Sequence, residues 1–595
     1  MQQYIINQYF IKDILSWVQS NEIAIPEIQR PFVWSSIKVR DLMDSIYKGF
    51  PVGYIIVWRN PSIRLKDGSL SSGKKIVIDG QQRITALRAA ILGEEVLDKE
   101  YRKMRIRIAF NPIEEKFETL TPAIEKDVNW IGDISEFLKN EGGIFALVDE
   151  YKKRNPKADL QTIQNNIDKL YSIKDKQLGF IELKENLDIE TVTEIFIRIN
   201  SEGVVLSQAD FAMSRIAAFG DFGINLRKAI DYFAHTLRHP EFIENIKSAS
   251  DDFTNTEYYQ KILWAKNLQD DIYQPDYTDI IRVGFTKEFN RGRLRDLVSL
   301  LSGRNFETRA YEEAIVEDSY NKLKNGVLDF VNKTHYERFS MIVKAAGFEV
   351  SGLIRSKNAL NFAYILYLKL RSQEYNDSEI ERIVSKWLIM SLLIGRYSGS
   401  PESQFDTDIR NIVEQRAEKY LEGIERAELS DTFWSEGLVR DLVKSSISSP
   451  YLKLFWAAQV KLGKRGFLST DIKVRDMIIH RGDIHHIFPK KYLESNKLKQ
   501  RDYNQIANFA YTQSEINIKI GAKSPKQYFT EILEHLENGV FKYSGIKDKN
   551  ELENNLKENA IPVSVLDMEV TDYQKFLEER QKLMANMIRE YYQSF

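Results

Sequence analysis

Short apolar runs alternate with one periodic segment in the first part of the chain. The runs at 53–58 (GYIIVW), 75–78 (KIVI) and 104–110 (MRIRIAF) are rich in β-branched and aromatic residues, which predicts strands. Between the last two, residues 82–92 (QRITALRAAIL) carry apolar side chains at helical spacing and end at a glycine, which predicts a helix. A further helix is predicted over 191–199. This part of the chain is therefore predicted to be mixed α and β.

The middle of the chain has a helical pattern. No proline occurs between Pro275 and Pro401, so this long stretch lacks the strongest helix breaker. Within it, the sequence Ser378-Glu379-Ile380-Glu381 predicts a capping box, and apolar positions follow at i, i+3, i+4, i+7 and i+8. We expect large aromatic side chains of this region to be core. The periodic apolar residues are Ile380, Ile383, Val384, Trp387 and Leu388.

Composition narrows the class of protein. A chain of 595 residues is too long for one core and is expected to form several domains. The absence of cysteine excludes disulfides, thiolate nucleophiles and zinc sites built on cysteine. The longest aliphatic run, 387–394, is too short for a bilayer span, and the N-terminus lacks a secretory pattern. We therefore expect a cytoplasmic protein without a membrane partner.

Charge is unevenly distributed along the chain. The net charge is −2, but residues 461–501 contain eleven Lys or Arg against four Asp or Glu. Three of the seven histidines, at 480, 485 and 486, lie in the same segment. A solvated face is one interpretation of such a segment, and a surface that binds nucleic-acid phosphates is the other.

A polar motif follows directly after the strand predicted at 75–78. In Asp79-Gly80-Gln81-Gln82-Arg83, a carboxylate and a glycine precede amides and a guanidinium at the start of the predicted helix. The N-terminus of a helix attracts phosphate, Arg83 could add a bidentate contact, and Asp79 could hold a metal or a ribose hydroxyl. The alternative is an ordinary strand–turn–helix with an N-capping aspartate.

Further motifs around these residues resemble a known family. In order, they are IPEIQRPFVW at 25–34, DLMDSI at 41–46, GFPVG at 49–53, the motif at 79–83, and FIRINSEG at 196–203 with Leu206 and Asp210. This series resembles the N-terminal domain of GmrSD-type restriction proteins, which also occurs in phosphorothioate-sensing SspE-like proteins, over roughly residues 8–215. The resemblance implies a ParB/sulfiredoxin-like fold that binds and hydrolyses a nucleotide. The implied nucleotide contacts are Asp79, Gly80, Gln81, Gln82 and Arg83, with Gln29, Arg30, Arg198 and Asn200 as weaker candidates.

The second group of polar residues lies in the basic segment. Residues 483–490 read DIHHIFPK, and Asn508 and Asn517 follow 22 and 31 positions after His486. This spacing predicts a hairpin that carries the histidines, a loop, and a helix that returns an asparagine to a shared metal. Phosphodiester hydrolysis needs a base and a cation, which imidazole and a metal held by an asparagine oxygen can supply. The alternative, a structural zinc site of His480, His485 and His486, is disfavoured because adjacent strand residues point to opposite faces.

This segment is similar to the His-Me finger (HNH-like) nucleases. The similarity is to the C-terminal domain that accompanies the N-terminal domain above in GmrSD-type proteins, and it spans roughly residues 446–570. It implies that His486 is the general base, His485 and Asn517 are metal ligands, and Asn508 braces the loop. Many members of the family carry an acidic residue in place of His485, so the choice of metal stays open.

The two resemblances together imply an α+β multidomain protein. Its expected parts are a ParB-like nucleotide-binding domain (1–215), a helical connector (216–445) and a ββα-metal nuclease domain (446–595). The expected function is a nucleotide-regulated, metal-dependent DNA endonuclease with NTPase activity, in a modification-sensing restriction system. Expected cofactors are Mg²⁺ or another divalent metal and an NTP, with GTP as a candidate.

The expected partner is double-stranded DNA of phage or modified origin, and a homo-oligomer is left open. The alternative function is a ParB-like, nucleotide-dependent DNA-binding regulator whose nuclease domain is inactive. The presence of both His486 and Asn517 favours the enzyme.

Overall fold

The computed structural model divides the chain into two compact units. The first is Met1–Lys266 with Leu294–Asn321, and the second is Asn267–Arg293 with Lys322–Phe595. The predicted domain boundaries after residues 215 and 445 stay predictions. The residues that the structure describes are 3–20, 22–24, 34–59, 75–97, 103–139, 144–185, 187, 191–192, 195, 208–217, 219–249, 251–373, 375–443, 446–480, 482–539, 543 and 545–595.

A five-stranded mixed sheet organises the first unit. The strands of this unit are β1 (Tyr4–Phe10), β2 (Ile23–Ala24), β3 (Tyr54–Arg59), β4 (Lys75–Asp79), β5 (Val96–Leu97), β6 (Lys103–Met104), β7 (Ile108–Asn111), β8 (Lys116–Thr119) and β9 (Gln177–Leu183). The large sheet has the order β1-β9-β3-β4-β2. In it, β9 runs antiparallel to β1 and parallel to β3, whereas β4 runs antiparallel to β3 and parallel to β2.

Helices cover one face of this sheet. Ile55, Val57 and Val77 of the sheet belong to the same buried cluster as Ile84 and Leu87 of the helix Gln81–Ile91. The helices that begin in the first unit are Ile11–Gln19, Ser36–Lys48, Gln81–Ile91, Pro122–Lys126, Ile134–Lys139, Ile144–Arg154, Leu160–Tyr171, Gln208–Ala217, Gly220–Arg238, Phe242–Ala249, Asp251–Thr254, Glu257–Ile262, Leu294–Leu301 and Glu313–Phe330, with 3-10 turns at Ser172–Asp175 and Leu263–Asn267.

The local predictions for this unit are largely confirmed. Strands lie at Tyr54–Arg59 and Lys75–Asp79, and a helix occupies Gln81–Ile91. The run at 104–110 is not one strand, because β6 pairs with β5 whereas β7 pairs with β8. Most of the helix predicted over 191–199 lies outside the described residues.

The second unit is almost entirely helical, with one small hairpin. Its strands are β10 (Asp483–His486) and β11 (Phe509–Thr512). Its helices are Tyr277–Phe289, Lys333–Ala345, Lys357–Arg371, Asp377–Leu393, Pro401–Gln415, Ala417–Glu428, Leu438–Asp441, Pro450–Lys461, Val474–Ile479, Lys490–Ser495, Gln500–Tyr503, Ser514–Ile520, Pro525–Glu537, Lys549–Glu558 and Tyr573–Gln593, with a π-turn at Phe433–Gly437 and 3-10 turns at Ser351–Leu353, Ile506–Asn508, Val563–Asp567 and Val570–Asp572.

The periodic helix of the middle region is confirmed, but its predicted cap is wrong. The helix spans Asp377–Leu393, and the five periodic apolar side chains, Trp387 among them, are buried. The capping box pairs Asn376 with Glu379: Asn376 Oδ1 accepts from Glu379 N and Glu379 Oε2 accepts from Asn376 N, both at 3.0 Å. Ser378 lies inside the first turn. An asparagine caps as well as a serine does, and Asn376 is the N-cap residue, whose backbone is still extended directly before the helix begins.

A buried carboxylate joins two helices of the second unit, Pro401–Gln415 and Ala417–Glu428, to the turn that precedes them. Asp408 is 0% exposed and accepts hydrogen bonds from Arg396 Nε at 2.9 Å, Tyr397 Oη at 2.8 Å and Tyr420 Oη at 2.9 Å. Gln404 Nε2 donates to the same carboxylate at 2.9 Å. The charge is thus buried together with its counter-ion and with bonds to both oxygens, as a stable buried ion pair requires.

The structure also bears on a membrane role. Among the described residues, no helix combines the length with the apolar character that a bilayer crossing needs.

Candidate active site

A hairpin and the helix after it bring the histidines and asparagines together. β10 and β11 pair antiparallel, with His485 opposite Ala510 and His486 opposite Phe509. The helix Ser514–Ile520 begins two positions after Thr512, the last residue of β11, and it carries Asn517. We call residues 483–512 the histidine hairpin. The hairpin and the helix after it occur where the spacing of the polar residues predicts them, but the connection between the two strands contains the helices Lys490–Ser495 and Gln500–Tyr503.

His485 points to the side of the hairpin where Asn517 lies. Its side chain is buried, and Nδ1 is 2.7 Å from Asn517 Oδ1. Asn517 Nδ2 donates to Asp483 Oδ2 at 3.2 Å, which turns Oδ1 of the amide toward the imidazole. Phe467 stacks on the His485 ring at 5.8 Å, and Nε2 is buried without a hydrogen-bond partner in the described part of the chain.

The environment of His485 keeps its imidazole neutral. Burial lowers the pKa of His485 to about 4. Asn517 and Asp483 oppose this shift, whereas His486 adds to it. His485 is therefore uncharged near pH 7. Because Asn517 Oδ1 can only accept, Nδ1 carries the proton in this contact, and it can ligate a metal only when that proton lies on Nε2.

His486 points to the opposite side of the hairpin. Its Nε2 is 2.9 Å from Asn504 Oδ1, and its ring packs against Phe509 at 4.9 Å and Tyr503 at 5.9 Å. Burial lowers the pKa of His486 from its ordinary value, so the neutral form is favoured. When Nε2–H donates to Asn504, Nδ1 keeps the lone pair that a general base needs.

Asn508 ties the two ends of the hairpin loop together. It is 0% exposed, and its Oδ1 accepts from Phe488 N at 2.8 Å. Its Nδ2 donates to the carbonyls of Phe488 and Tyr503, both at 3.1 Å, and its own carbonyl accepts from Ile487 N at 2.9 Å. These bonds hold the residues directly after His486. They are the bonds that a bracing asparagine would make.

The alternative of a zinc site gains no support from the geometry. His480 is exposed at the end of the helix Val474–Ile479, while His485 and His486 have different partners on opposite sides of β10. Over the described residues, no group of three or more His, Asp or Glu side chains could hold a metal ion. A metal at this hairpin would therefore depend on the amide oxygen of Asn517.

Some charges of the basic segment are held by close carboxylates, and others are exposed. Arg465 Nε is 2.9 Å from Glu558, and Arg475 Nε is 2.5 Å from Glu349, so these charges are neutralised within the fold. Four lysines that follow His486 along the hairpin loop are exposed, and we call them the loop lysines. They are Lys490, Lys491, Lys497 and Lys499.

In the first unit, the Asp-Gly-Gln-Gln-Arg motif forms the turn from a strand into a helix. Asp79 ends β4, Gly80 is the residue before the helix, and Gln81, Gln82 and Arg83 form its first turn. Gly80 has a φ of 96°, and a Cβ at this position would lie 3.2 Å from the Cα of Ile55 on β3. Only glycine fits this turn without strain.

Arg83 folds back onto β3 and the end of β4. Its Nη1 donates to the carbonyl of Tyr54 at 2.8 Å and lies 3.7 Å from Asp79 Oδ2. A Cβ on Gly53 would lie 2.9 Å from Nη2, so the glycine makes room for the guanidinium. The side chain remains 26% exposed. Gln29, Arg30, Arg198 and Asn200 lie outside the described residues.

Sequence patterns missed Asn504, which contacts His486. It lies in the hairpin loop, 18 residues after that histidine, and loop asparagines are too common to mark a contact. Only the closure of the hairpin brings the two side chains together.

Comparison with known proteins relates the first part of the chain to a family. Residues 11–217 match the family described as the GmrSD restriction endonuclease N-terminal domain. The whole chain is also similar to an uncharacterized protein of Methanocaldococcus jannaschii, at 22% identity over 97% of this chain and 98% of that protein. The family match points to a defence protein of the restriction endonuclease type, whose substrate is DNA.

Proposed function

We propose that this protein is a nucleotide-regulated, metal-dependent DNA endonuclease that restricts modified or phage DNA. The observation that carries the proposal is the contact of His485 with Asn517 on one side of the hairpin and the neutral His486 on the other. This arrangement separates a metal-ligand pair from a base, which are the two parts that phosphodiester hydrolysis needs. The match of residues 11–217 to a restriction endonuclease domain supports the same function.

In the proposed reaction, His486 is the general base. Its Nδ1 would take the proton of the attacking water, while the bond from Nε2 to Asn504 holds the ring in one tautomer. Asn508 would keep the backbone after His486 fixed through its bonds to Ile487 and Phe488. A base that is held in this way loses little activity to misorientation.

The donor set fits a divalent metal once the proton of His485 lies on Nε2, because without the ion Nδ1 donates to Asn517 Oδ1. His485 Nδ1 and Asn517 Oδ1 converge, and Asp483 orients the amide. An amide oxygen suits Mg²⁺, whereas imidazole favours transition metals, so Mg²⁺ and Mn²⁺ are both candidates. When bound, the ion would supply positive charge to the phosphate oxygens.

Double-stranded DNA would contact the loop lysines. These residues are exposed, and the first of them comes four positions after His486 in the chain. Arg465 and Arg475 are held by carboxylates at 2.9 and 2.5 Å, whereas among the loop lysines Lys490 has only a 3.7 Å contact with Glu494, so we assign the DNA contact to the loop lysines.

The turn Asp79–Arg83 would bind a nucleoside triphosphate, with GTP as a candidate, and would hydrolyse it. Arg83 is partly exposed and lies at the start of a helix, so it could contact a phosphate when a ligand approaches. Nucleotide would then regulate cleavage if the two ends of the chain share a conformational equilibrium.

Plasmid cleavage tests this function. Wild-type protein should nick or cut plasmid DNA with Mg²⁺ or Mn²⁺, and EDTA should stop the reaction. Parallel reactions with unmodified and modified phage DNA, each with and without every NTP, identify the modification and the nucleotide. Binding of DNA without cleavage under all these conditions would instead identify a nucleotide-dependent DNA-binding regulator.

A further inference from the structure

A buried arginine of the C-terminal helix contacts the histidine hairpin. Arg580 lies on the helix Tyr573–Gln593 and is 0% exposed. Its Nη1 donates to the carbonyl of Ala507 at 2.8 Å and its Nη2 to the carbonyl of Asn559 at 3.1 Å. Its Nε has no hydrogen-bond partner among the described residues, and no carboxylate there influences its charge.

Such a group is costly to bury. Burial lowers the pKa of Arg580 to about 9, which reflects the loss of water around the guanidinium. The carbonyls and the ring of Phe455, whose centroid is 6.0 Å away, offset only part of this loss because neither carries a full negative charge. A methionine or leucine of similar size would fill the same space without a desolvation cost. The arginine therefore contributes something that packing alone would not supply.

The carbonyl that Arg580 holds belongs to the bracing turn. Ala507 is the middle residue of the turn Ile506–Asn508. On one side of it, Asn508 bonds the backbone of Ile487 and Phe488. On the other side, Asn504 bonds His486. A displacement of this turn would therefore move both contacts of the loop that carries His486.

The same face of the helix makes further contacts with the hairpin. Tyr573 Oη donates to the carbonyl of Asp502 at 3.1 Å. The rings of Tyr573 and Phe576 lie 5.0 Å and 4.9 Å from the ring of Phe488. Tyr573, Phe576 and Arg580 are spaced i, i+3 and i+7, so one stripe of the helix supports the loop from behind.

We propose that Arg580 is a positioning residue of the nuclease site, which holds the Ile506–Asn508 turn so that Asn504 and Asn508 keep His486 in place. This inference rests on the proposed endonuclease function. It assigns to the C-terminal helix a part in the reaction, although no residue of that helix touches the substrate in the proposal.

Kinetics of two variants test the role. Arg580→Met removes both hydrogen bonds and keeps the apolar stem, and Arg580→Lys keeps the charge but cannot reach both carbonyls at once. The methionine variant should lower kcat about tenfold or more, the scale expected for loss of a hydrogen bond from a charged donor. KM for DNA should change less than about twofold, because the loop lysines are untouched. The kcat of Arg580→Lys should lie between that of the wild type and that of Arg580→Met. Lys582→Met, an exposed position of the same helix, is the matched control.

Hydrogen exchange gives a readout that does not depend on cleavage. In Arg580→Met, the amides of Ile487 and Phe488 should exchange about tenfold faster than in Lys582→Met, because their acceptors belong to Asn508. The buried helix Lys357–Arg371 should keep its wild-type exchange. Faster exchange at 487–488 with no cleavage by the wild type would show that Arg580 holds the turn, but it would reject the endonuclease and with it the role of Arg580 in a nuclease site.

Two results would overturn the inference. One is wild-type exchange at 487–488 together with wild-type kcat in a folded Arg580→Met protein. The other applies if Arg580→Met does not fold, and it is unchanged exchange at 487–488 in Arg580→Lys. Faster exchange at 487–488 in Arg580→Lys would support the role.

Discussion

The imidazole Nδ1 of His485 and the side-chain oxygen of Asn517 lie 2.7 Å apart, although 32 residues separate them in the chain. The antiparallel hairpin brings the chain back beside β10, and the helix Ser514–Ile520 then places the asparagine against the histidine. His486, the next residue, faces Asn504 on the other side. Two adjacent histidines thus have two environments, which suits the division into metal ligand and base.

Replacement of His486 by alanine should abolish cleavage but preserve DNA binding. Loss of a general base costs about 10²- to 10⁴-fold in rate, whereas the loop lysines remain. Plasmid nicking under single-turnover conditions measures the rate, and fluorescence anisotropy measures binding. Residual activity above about a tenth of wild type would show that His486 is not the base, since that exceeds the range expected for a lost base.

Replacement of Asn517 by alanine should raise the metal concentration needed for half-maximal cleavage, because one of two proposed ligands is lost. Added Mg²⁺ or Mn²⁺ should restore part of the rate, and Asn517→Asp should need less metal than Asn517→Ala because a carboxylate is the stronger ligand. The measurement is a metal titration of nicking. An unchanged midpoint would place the second ligand elsewhere, and Asn508 would be the next residue to replace.

Replacement of the four loop lysines by glutamine should weaken DNA binding and flatten its salt dependence. Each phosphate contact contributes a slope of about −0.9 in log K against log salt, so the slope should fall by up to roughly 3.6. Dissociation constants measured between about 50 and 200 mM salt give the slope, because the affinity for DNA falls steeply over this range. Arg475→Gln is the control, since Glu349 already holds that charge. A slope equal to wild type would mean that the loop lysines form only a solvated face.

Replacement of Arg83 by alanine should remove the nucleotide-induced rise in Tm while the Tm without nucleotide stays near wild type. Cleavage should change in the direction opposite to the effect of nucleotide on the wild type, because a ligand stabilises only the state that it binds. Arg88→Ala, on the same helix and paired with Glu94, is the control.

A second outcome for Arg83 has a different meaning. Its bond to the Tyr54 carbonyl and its proximity to Asp79 could matter only for stability. A lower Tm without nucleotide and an unchanged nucleotide shift would identify that structural role.

Replacement of Asp408 by alanine should destabilise the second unit by about 3–5 kcal/mol, because Arg396 would stay buried without its counter-ion. An apparent Tm lower by roughly 10 °C is expected in thermal unfolding. Glu414→Gln, an exposed position of the same helix, should leave the Tm unchanged. Equal Tm values for the two variants would show that the network adds little stability.

Local patterns in the sequence determined much of this protein. The runs at 53–58 and 75–78 are strands, the segment after Asp79 is a helix, and the histidines lie on a hairpin that is followed by a helix with Asn517. These features depend on hydrophobic periodicity and turn residues, which act over a few positions of the chain. The match at 11–217 also rests on motifs that the sequence displays.

Only the tertiary structure decided which polar groups are partners. Arg465 and Arg475 are paired with glutamates 93 and 126 residues away, so part of the basic segment carries no free charge. Arg580 reaches the carbonyl of Ala507 across 73 residues. A side chain can pair with any group that the fold brings near, and its type does not specify which one. Backbone periodicity is therefore legible in the sequence, whereas the partners of buried and charged side chains depend on how distant segments pack.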